Sequence, residues 1–198
     1  MSELKIVYHP HPALRWKSKD VTRIDAQLKD WVGQMFDLMY EARGIGLAAN
    51  QVALPYRLFV INPSGDREDT DLEQVFINPQ IVKRNGSYDA EEGCLSMPEI
   101  YGPVTRAEKI TVEAFDLQGR DFAMELTGLP GRVVQHENDH LDGVMFTDRV
   151  EENVLTELQP LLDDLSGQME RQQTEGELSD EAALIAELKR LEQERTEG

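Results

Sequence analysis

His136 and His140 stand four residues apart in the stretch QHENDHLDG, with Glu137 directly after the first and Asp139 directly before the second. On an α-helix, side chains four apart lie one above the other, so both imidazoles can close on a single ion. Glu137 then sits beside the ion without ligating it, within reach of a water in the open coordination place. That is the arrangement the H-E-x-x-H pattern encodes. Two histidines at this spacing also arise on ordinary solvated helices, and the glutamate in register is what makes the pair a metal-site candidate.

A catalytic centre of this kind needs a third protein ligand, for which there are three candidates. His9 and His11 lie in a Pro-rich turn, YHPHPAL, where exposed polar side chains are ordinary. Cys94, the single cysteine, lies in EEGCLSMPE between Gly93 and a β-like Leu-Ser-Met. It cannot form an internal disulfide, so it is either a buried inert thiol or a ligand or nucleophile; as a thiolate it would complete a Cys-His-His set. A further stretch, GIGLAANQV from Gly44 to Val52, reads as G-x-G-x-x-A. A dinucleotide loop must follow a strand and open a helix, and this stretch follows a helix, so that reading is rejected. A helix-ending glycine turn explains Gly44 but not the polar Asn50-Gln51 pair.

The elements that must position these residues can be read from periodicity. From Ile24 to Arg43, Leu28, Trp31, Val32, Met35, Phe36, Leu38 and Met39 recur at helical spacing, with Gly44 as the stop. Short β-like runs follow, RLFVIN, QVFINPQIV, KITVEAFD and DFAMELT, divided by Asn-Pro, Gly and the Leu117–Arg120 turn; the last two read as a hairpin. Pro130 suits a first helical turn and Gly143 a stop, which predicts a helix over about Leu129–Asp142 with both histidines in it. The fold class expected is α+β, with short, mostly antiparallel sheets around that central helix, an N-terminal helix and an acidic helical extension.

The chain has 198 residues, 40% of them hydrophobic, enough for one domain with an appendage. Its formal net charge of −18 argues against a nucleic-acid-binding surface and against attraction to anionic lipid. No apolar run approaches a membrane span, and MSELKIVYHP lacks the features of a signal peptide, so the expected location is cytoplasmic. Beyond Val150 the composition shifts, with 14 acidic against 4 basic residues from Glu151 to Gly198. Leu184, Leu188 and Leu191 form a narrow stripe after a Ser179 N-cap, with QQTEGE before it as a linker. The expected division is 1–170 for the catalytic unit and 171–198 for the extension.

Taken in order, GIGLAANQ, EGCLS and HENDH closely resemble the three signature motifs of peptide deformylases, and the likeness runs from HPALRWKSKDVTRID to about residue 165. One departure is Asn138, where the family usually has an apolar or small residue; following the glutamate directly, it is expected to face away from the metal. The resemblance implies hydrolysis of the formyl group from the N-terminal formylmethionine of nascent polypeptides, the N-terminal processing step of protein biosynthesis that releases formate. It implies Cys94, His136 and His140 as ligands, Glu137 as general base, and the Gln51 amide and Leu95 backbone N–H as oxyanion donors. Gly46 would let the substrate backbone approach closely, and Ile45, Leu129 and Val133 would wall the methionine pocket. Glu92, Arg106 and Asp139 would orient the ligands by charge-assisted hydrogen bonds.

Thiolate and imidazole by themselves suit zinc. Deformylases commonly use ferrous iron, so the resemblance implies Fe2+ as native ion, with Zn2+, Ni2+ or Co2+ as alternatives. Two other classes compete. A zinc peptidase of the H-E-x-x-H type would leave GIGLAANQ and EGCLS idle, and a non-catalytic module with a structural metal would need four protein ligands where three good ones exist. The partners implied are N-formylmethionyl nascent chains. The acidic extension is not expected to bind nucleic acid, no membrane partner is expected, and oligomeric state is left open. The segment from about Gln172 onward is expected to be dispensable for hydrolysis of a short formyl-peptide.

Overall fold

The Asp25 carboxylate accepts the Leu28 N–H at 2.9 Å and so caps the first helix, α1, Ala26–Glu41. In the computed structural model, which describes residues 3–196, α1 buries Leu28, Trp31, Val32, Met35 and Met39 on one face. A fully buried side chain of that size is worth about 1.5–3 kcal/mol. The two residues at each chain end, and with them the extremities of the expected catalytic unit and extension, lie outside the described residues. The helix does not end on glycine as its stop: the left-handed residue is Arg43, at φ 55°. Gly44 leaves room for the Leu95 side chain, whose Cδ1 would lie 2.6 Å from a Cβ there and would have to shift.

After α1 come β1 (Gly46–Ala48), a 3-10 turn over Ala49–Val52, β2 (Leu58–Ile61) and β3 (Gln74–Asn85). A separate hairpin follows, β4 (Tyr88–Cys94) and β5 (Met97–Arg106), then β6 (Lys109–Phe115), β7 (Asp121–Thr127), α2 (Gly128–Leu141), α3 (Glu152–Thr174) and α4 (Glu181–Thr196). Five strands form an antiparallel sheet in the order β1-β2-β3-β6-β7, so β1 lies at an edge, and β4 and β5 form their own two-stranded sheet. The helix α2 lies against the larger sheet, where Val133, Val134 and Leu141 join Phe59, Ile61 and Phe76 in one apolar cluster. This is the α+β arrangement around a central helix.

The run QVFINPQIV is part of one strand, β3, as expected, with Asn78-Pro79 as a bulge inside it and Asn78 at φ 52°. The Asn78 side chain replaces the lost ladder contacts, accepting from Val21 N at 2.7 Å and donating to Val21 O at 2.9 Å. Leu95 and Ser96 are not strand residues but the two-residue turn between β4 and β5, since Cys94 pairs with Met97. The linker QQTEGE is shorter than expected, because α3 continues to Thr174, whose hydroxyl donates to Glu170 O, and stops near Gly176 at φ 77°. The cap of α4 is then Asp180, which accepts the Ala183 N–H at 2.8 Å, rather than Ser179.

The acidic segment packs back on the rest of the chain. Leu162 of α3 is buried beside Ile100, Val104 and Phe146, while Leu188 of α4 is buried and Leu191 lies against the α1 cluster. The Arg195 guanidinium pairs with Asp25 at 2.8 Å and sits 4.7 Å from the Trp31 ring centroid. No helix among the described residues is long and apolar enough to cross a membrane.

Candidate metal centre

Two elements bring the reactive side chains together. Cys94 stands at the end of β4, where the register breaks before the tight turn, and His136 and His140 stand one turn apart on α2. The ligand atoms of the three residues all lie within 4.8 Å of one another. Cys94 Sγ is 3.3 Å from His140 Nε2, which is 3.2 Å from His136 Nε2. These are the separations that ligand atoms roughly 2.0–2.3 Å from a shared tetrahedral ion must have. His9 and His11 take no part: His11 is buried, its Nδ1 accepting the Ala13 N–H at 3.1 Å to start the 3-10 turn Pro12–Arg15.

The charges around the centre fit a cation. Burial opposes a charge on His136, yet hydrogen bonds to Cys94 and Glu92 and the charge of Glu137 lift its pKa to about 10. Cys94, Glu92 and Glu137 thus place acidic or ligating groups around the converging atoms, a donor set that suits a divalent cation. Burial and the neighbouring charges of His136 and Arg106 hold His140 well below the usual imidazole range. Burial also pushes the Glu137 carboxyl up to about 7 against the pull of His136 and Arg106. Glu137 Oε2 is buried with no hydrogen-bond partner among the described residues.

Gln51 is held in a single orientation. Its Oε1 accepts the Ala48 N–H at 2.8 Å, which turns Nε2 toward Ser96 Oγ at 3.2 Å and Cys94 Sγ at 3.4 Å. The centre opens into a cleft of about 730 Å³, and Ile45, Gly46, Gln51, Leu95, Leu129, Val133, His136 and Glu137 all line it. Leu129 is half exposed at the mouth, whereas Val133 is buried. Asn138 is buried, does not line the cleft, and leaves its Oδ1 without a protein partner among the described residues.

The expected orienting residues assemble unevenly. Glu92 touches a ligand directly, its Oε2 lying 2.9 Å from His136 Nδ1, which fixes the proton on that nitrogen and leaves Nε2 free. Arg106 donates to both Glu92 oxygens at 2.8 Å. Asp139 touches no ligand: it binds the Arg106 and Arg149 guanidiniums and so acts one step further out. Burial would raise the Glu92 carboxyl, but hydrogen bonds from Arg106 and His136 hold it well below the usual carboxylate range.

Several residues escaped the sequence reading. Asn50 Nδ2 donates to the His140 carbonyl, and its signal was the unexplained Asn50-Gln51 pair. Arg132 donates to Glu92 Oε1 at 2.6 Å, and its signal is the four-residue step to His136 on one helix face. Arg149 carried no signal, since only the packing of the chain after Gly143 brings it to Asp139.

A histidine pair with an interposed glutamate, a cysteine brought in from a hairpin, and a sheet edge beside the cleft together have the make-up of a metal-dependent hydrolase site. The model of the family described as Polypeptide deformylase matches residues 3–155, and the chain belongs to the peptide deformylase family. It is 47% identical over 181 residues to a peptide deformylase of Rhodopirellula baltica, covering 91% of this chain and 90% of that one. A peptide deformylase of Chromobacterium violaceum is 46% identical over 150 residues, 76% of this chain and 88% of the relative. Among solved structures, a plant peptide deformylase superposes with a TM-score of 0.83 at 41% identity, covering 87% of this chain and 94% of that one. The peptide deformylase of Thermotoga maritima superposes with a TM-score of 0.71 at 37% identity, over 76% and 99% of the two chains. The chain is a metal-dependent hydrolase that removes the formyl group from the N-terminal formylmethionine of new polypeptides.

Proposed function

We propose that Cys94, His136 and His140 hold one divalent ion, Fe2+ by family resemblance with Zn2+, Ni2+ and Co2+ as alternatives, and that the substrates are N-formylmethionyl nascent chains in the cytoplasm. The observation that carries this reading is the convergence of the three ligand atoms, with Glu137 beside them, at the base of a cleft. When bound, the cation supplies Lewis acidity, which brings the pKa of a coordinated water down to about 7.

The chain's own residues supply the rest. Glu137 takes the proton of the attacking water and returns it to the leaving amine. As the formyl carbon becomes tetrahedral, Gln51 Nε2, locked by Ala48, and the Leu95 N–H donate to the oxygen that gains charge. The free edge of β1 pairs with the substrate backbone, as an added strand would. Ile45, Leu129 and Val133 enclose the methionine side chain, and Glu92, with Arg106 and Asp139 behind it, holds His136 in the ligating tautomer. Residues 1–170 form the catalytic unit and 171–198 the extension, which supplies no residue to the cleft among those described.

Anaerobic purification with metal analysis, followed by formate release from formyl-Met-Ala, tests the reading. One metal equivalent and formate release are expected, with no cleavage of an internal peptide bond. A chain that cleaves the internal bond and spares the formyl group is the result that overturns it.

A further inference from the structure

The ligand atoms come from two elements that no covalent link holds at a set distance: Cys94 from the hairpin β4–β5, and the two imidazoles from α2. Arg132 bridges them. It leaves α2 one turn before His136, its side chain is only 6% exposed, and it crosses to the hairpin. Nη1 donates to Glu92 Oε1 at 2.6 Å and to the Val104 carbonyl at 2.9 Å, while Nη2 donates to the Tyr88 carbonyl at 2.9 Å. The guanidinium lies 4.4 Å from the Tyr88 ring centroid. One side chain of the histidine helix therefore grips both strands of the cysteine hairpin and the carboxylate that orients His136.

We propose that Arg132 is a positioning residue of the metal centre: by fastening both strands of the hairpin to α2 it sets the separation of Cys94 Sγ from the imidazoles, and so determines how tightly the centre holds a divalent cation. The inference rests on the assignment of Cys94, His136 and His140 as ligands. Arg106, on β5, makes a second link by donating to Asp139 of α2 and to Glu92, but among the described residues its guanidinium grips no backbone carbonyl of either strand, as that of Arg132 does. A lysine at position 132 can reach Glu92 with its ammonium, but it lacks the planar fork that serves the carboxylate and two carbonyls at once.

The test uses the full-length chain loaded anaerobically with Co2+, against a chelator of known affinity, with the near-ultraviolet thiolate-to-Co2+ absorption as second readout. For Arg132→Met the Co2+ concentration at half-occupancy should rise about 10–100-fold, the usual consequence of losing an outer support of a metal ligand. The thiolate band should weaken, and Arg132→Lys should fall between. A merely structural clamp would lower the melting temperature and leave both readouts of the folded protein unchanged, and that result overturns the proposal. If Arg132→Met does not fold, Arg132→Lys decides: half-occupancy equal to that of the unaltered chain overturns it equally. Failure of the unaltered chain to bind Co2+ sinks the ligand assignment and this inference with it, whereas bound Co2+ with equal affinity in the variants sinks this inference alone.

Discussion

The Glu137 carboxylate occupies the space into which any side chain at position 46 would grow: a Cβ on Gly46 would lie 2.5 Å from Glu137 Oε1 and 2.8 Å from Val133 Cγ1. The glycine of the first motif is thus needed first by the glutamate of the third. Gly46→Ala must push the carboxylate away from the ligands, and misplacement of a catalytic group by about 1 Å can cost on the order of 10²-fold. We expect kcat/KM for formyl-Met-Ala to fall at least that far with the metal retained. Metal loss in parallel with activity would instead place the damage in the ligand set.

Glu137→Gln keeps the shape of the side chain and removes its ability to accept a proton. Turnover should drop by about 10²–10⁴-fold, the range expected for a positioned general base, while metal content stays near one equivalent. Near-normal formate release from this variant sinks the role assigned to Glu137.

Cys94 should behave as a ligand rather than as an inert core thiol. It is partly buried beside His140, and only a deprotonated sulfur ligates. Stripping the metal should make alkylation of Cys94 much faster than in the loaded enzyme. Equal rates with and without metal contradict ligation.

His11 links the N-terminal turn to pH. Burial brings its pKa down to about 4, because the ring sits neutral in the fold with Nδ1 accepting from Ala13. The unfolded chain binds this proton more readily than the folded one, so the contribution of His11 is complete above pH 6.5 and is lost as pH falls toward 4. Between pH 7 and 5 the loss is about 2 kcal/mol. His11→Asn keeps an acceptor for the turn and has nothing to protonate. Its melting temperature should therefore fall less steeply than that of the unaltered chain over this interval; parallel curves rule out His11 as the source.

What the sequence disclosed follows what local chemistry can encode. The helix carrying His136 and His140 was legible because its spacing, Pro130 and Gly143 agree, and α1 because seven apolar residues share one face. The β4–β5 hairpin was not, because its two-residue turn is Leu95-Ser96 and lacks the glycine or asparagine that marks tight hairpins. The candidate ligand Cys94 was therefore singled out by its motif and not by its element. Arg132 and Arg149 act through contacts between segments distant in the chain, which periodicity cannot report. The bulge at Asn78-Pro79 inside the run QVFINPQIV was not foreseen because the residue that satisfies it, Val21, is 57 positions away.

The acidic extension offers the last test. Its sign opposes docking on ribosomal RNA, since phosphate contacts depend on Lys and Arg, and the segment from Glu151 carries 14 acidic against 4 basic residues. Its apolar stripe is spent on the molecule itself: Leu188 is buried, the Tyr56 hydroxyl donates to the Leu191 carbonyl, and Arg195 covers Trp31. Removing everything after Arg171 uncovers part of the α1 cluster but no residue of the cleft. Loss of this apolar cover and of the cation–aromatic contact should cost about 2–4 kcal/mol. For a chain of this size that lowers the melting temperature by about 5–15 °C. Below the transition, kcat/KM for formyl-Met-Ala should stay within about 3-fold of the full chain, a difference of under about 1 kcal/mol. Arg195→Met should reproduce part of the thermal loss on its own. Co-sedimentation with ribosomes at low salt should be the same with and without the extension. Binding lost only on truncation overturns the electrostatic argument, and a large loss of peptide activity in the cold would show that α4 supports the cleft as well as the fold.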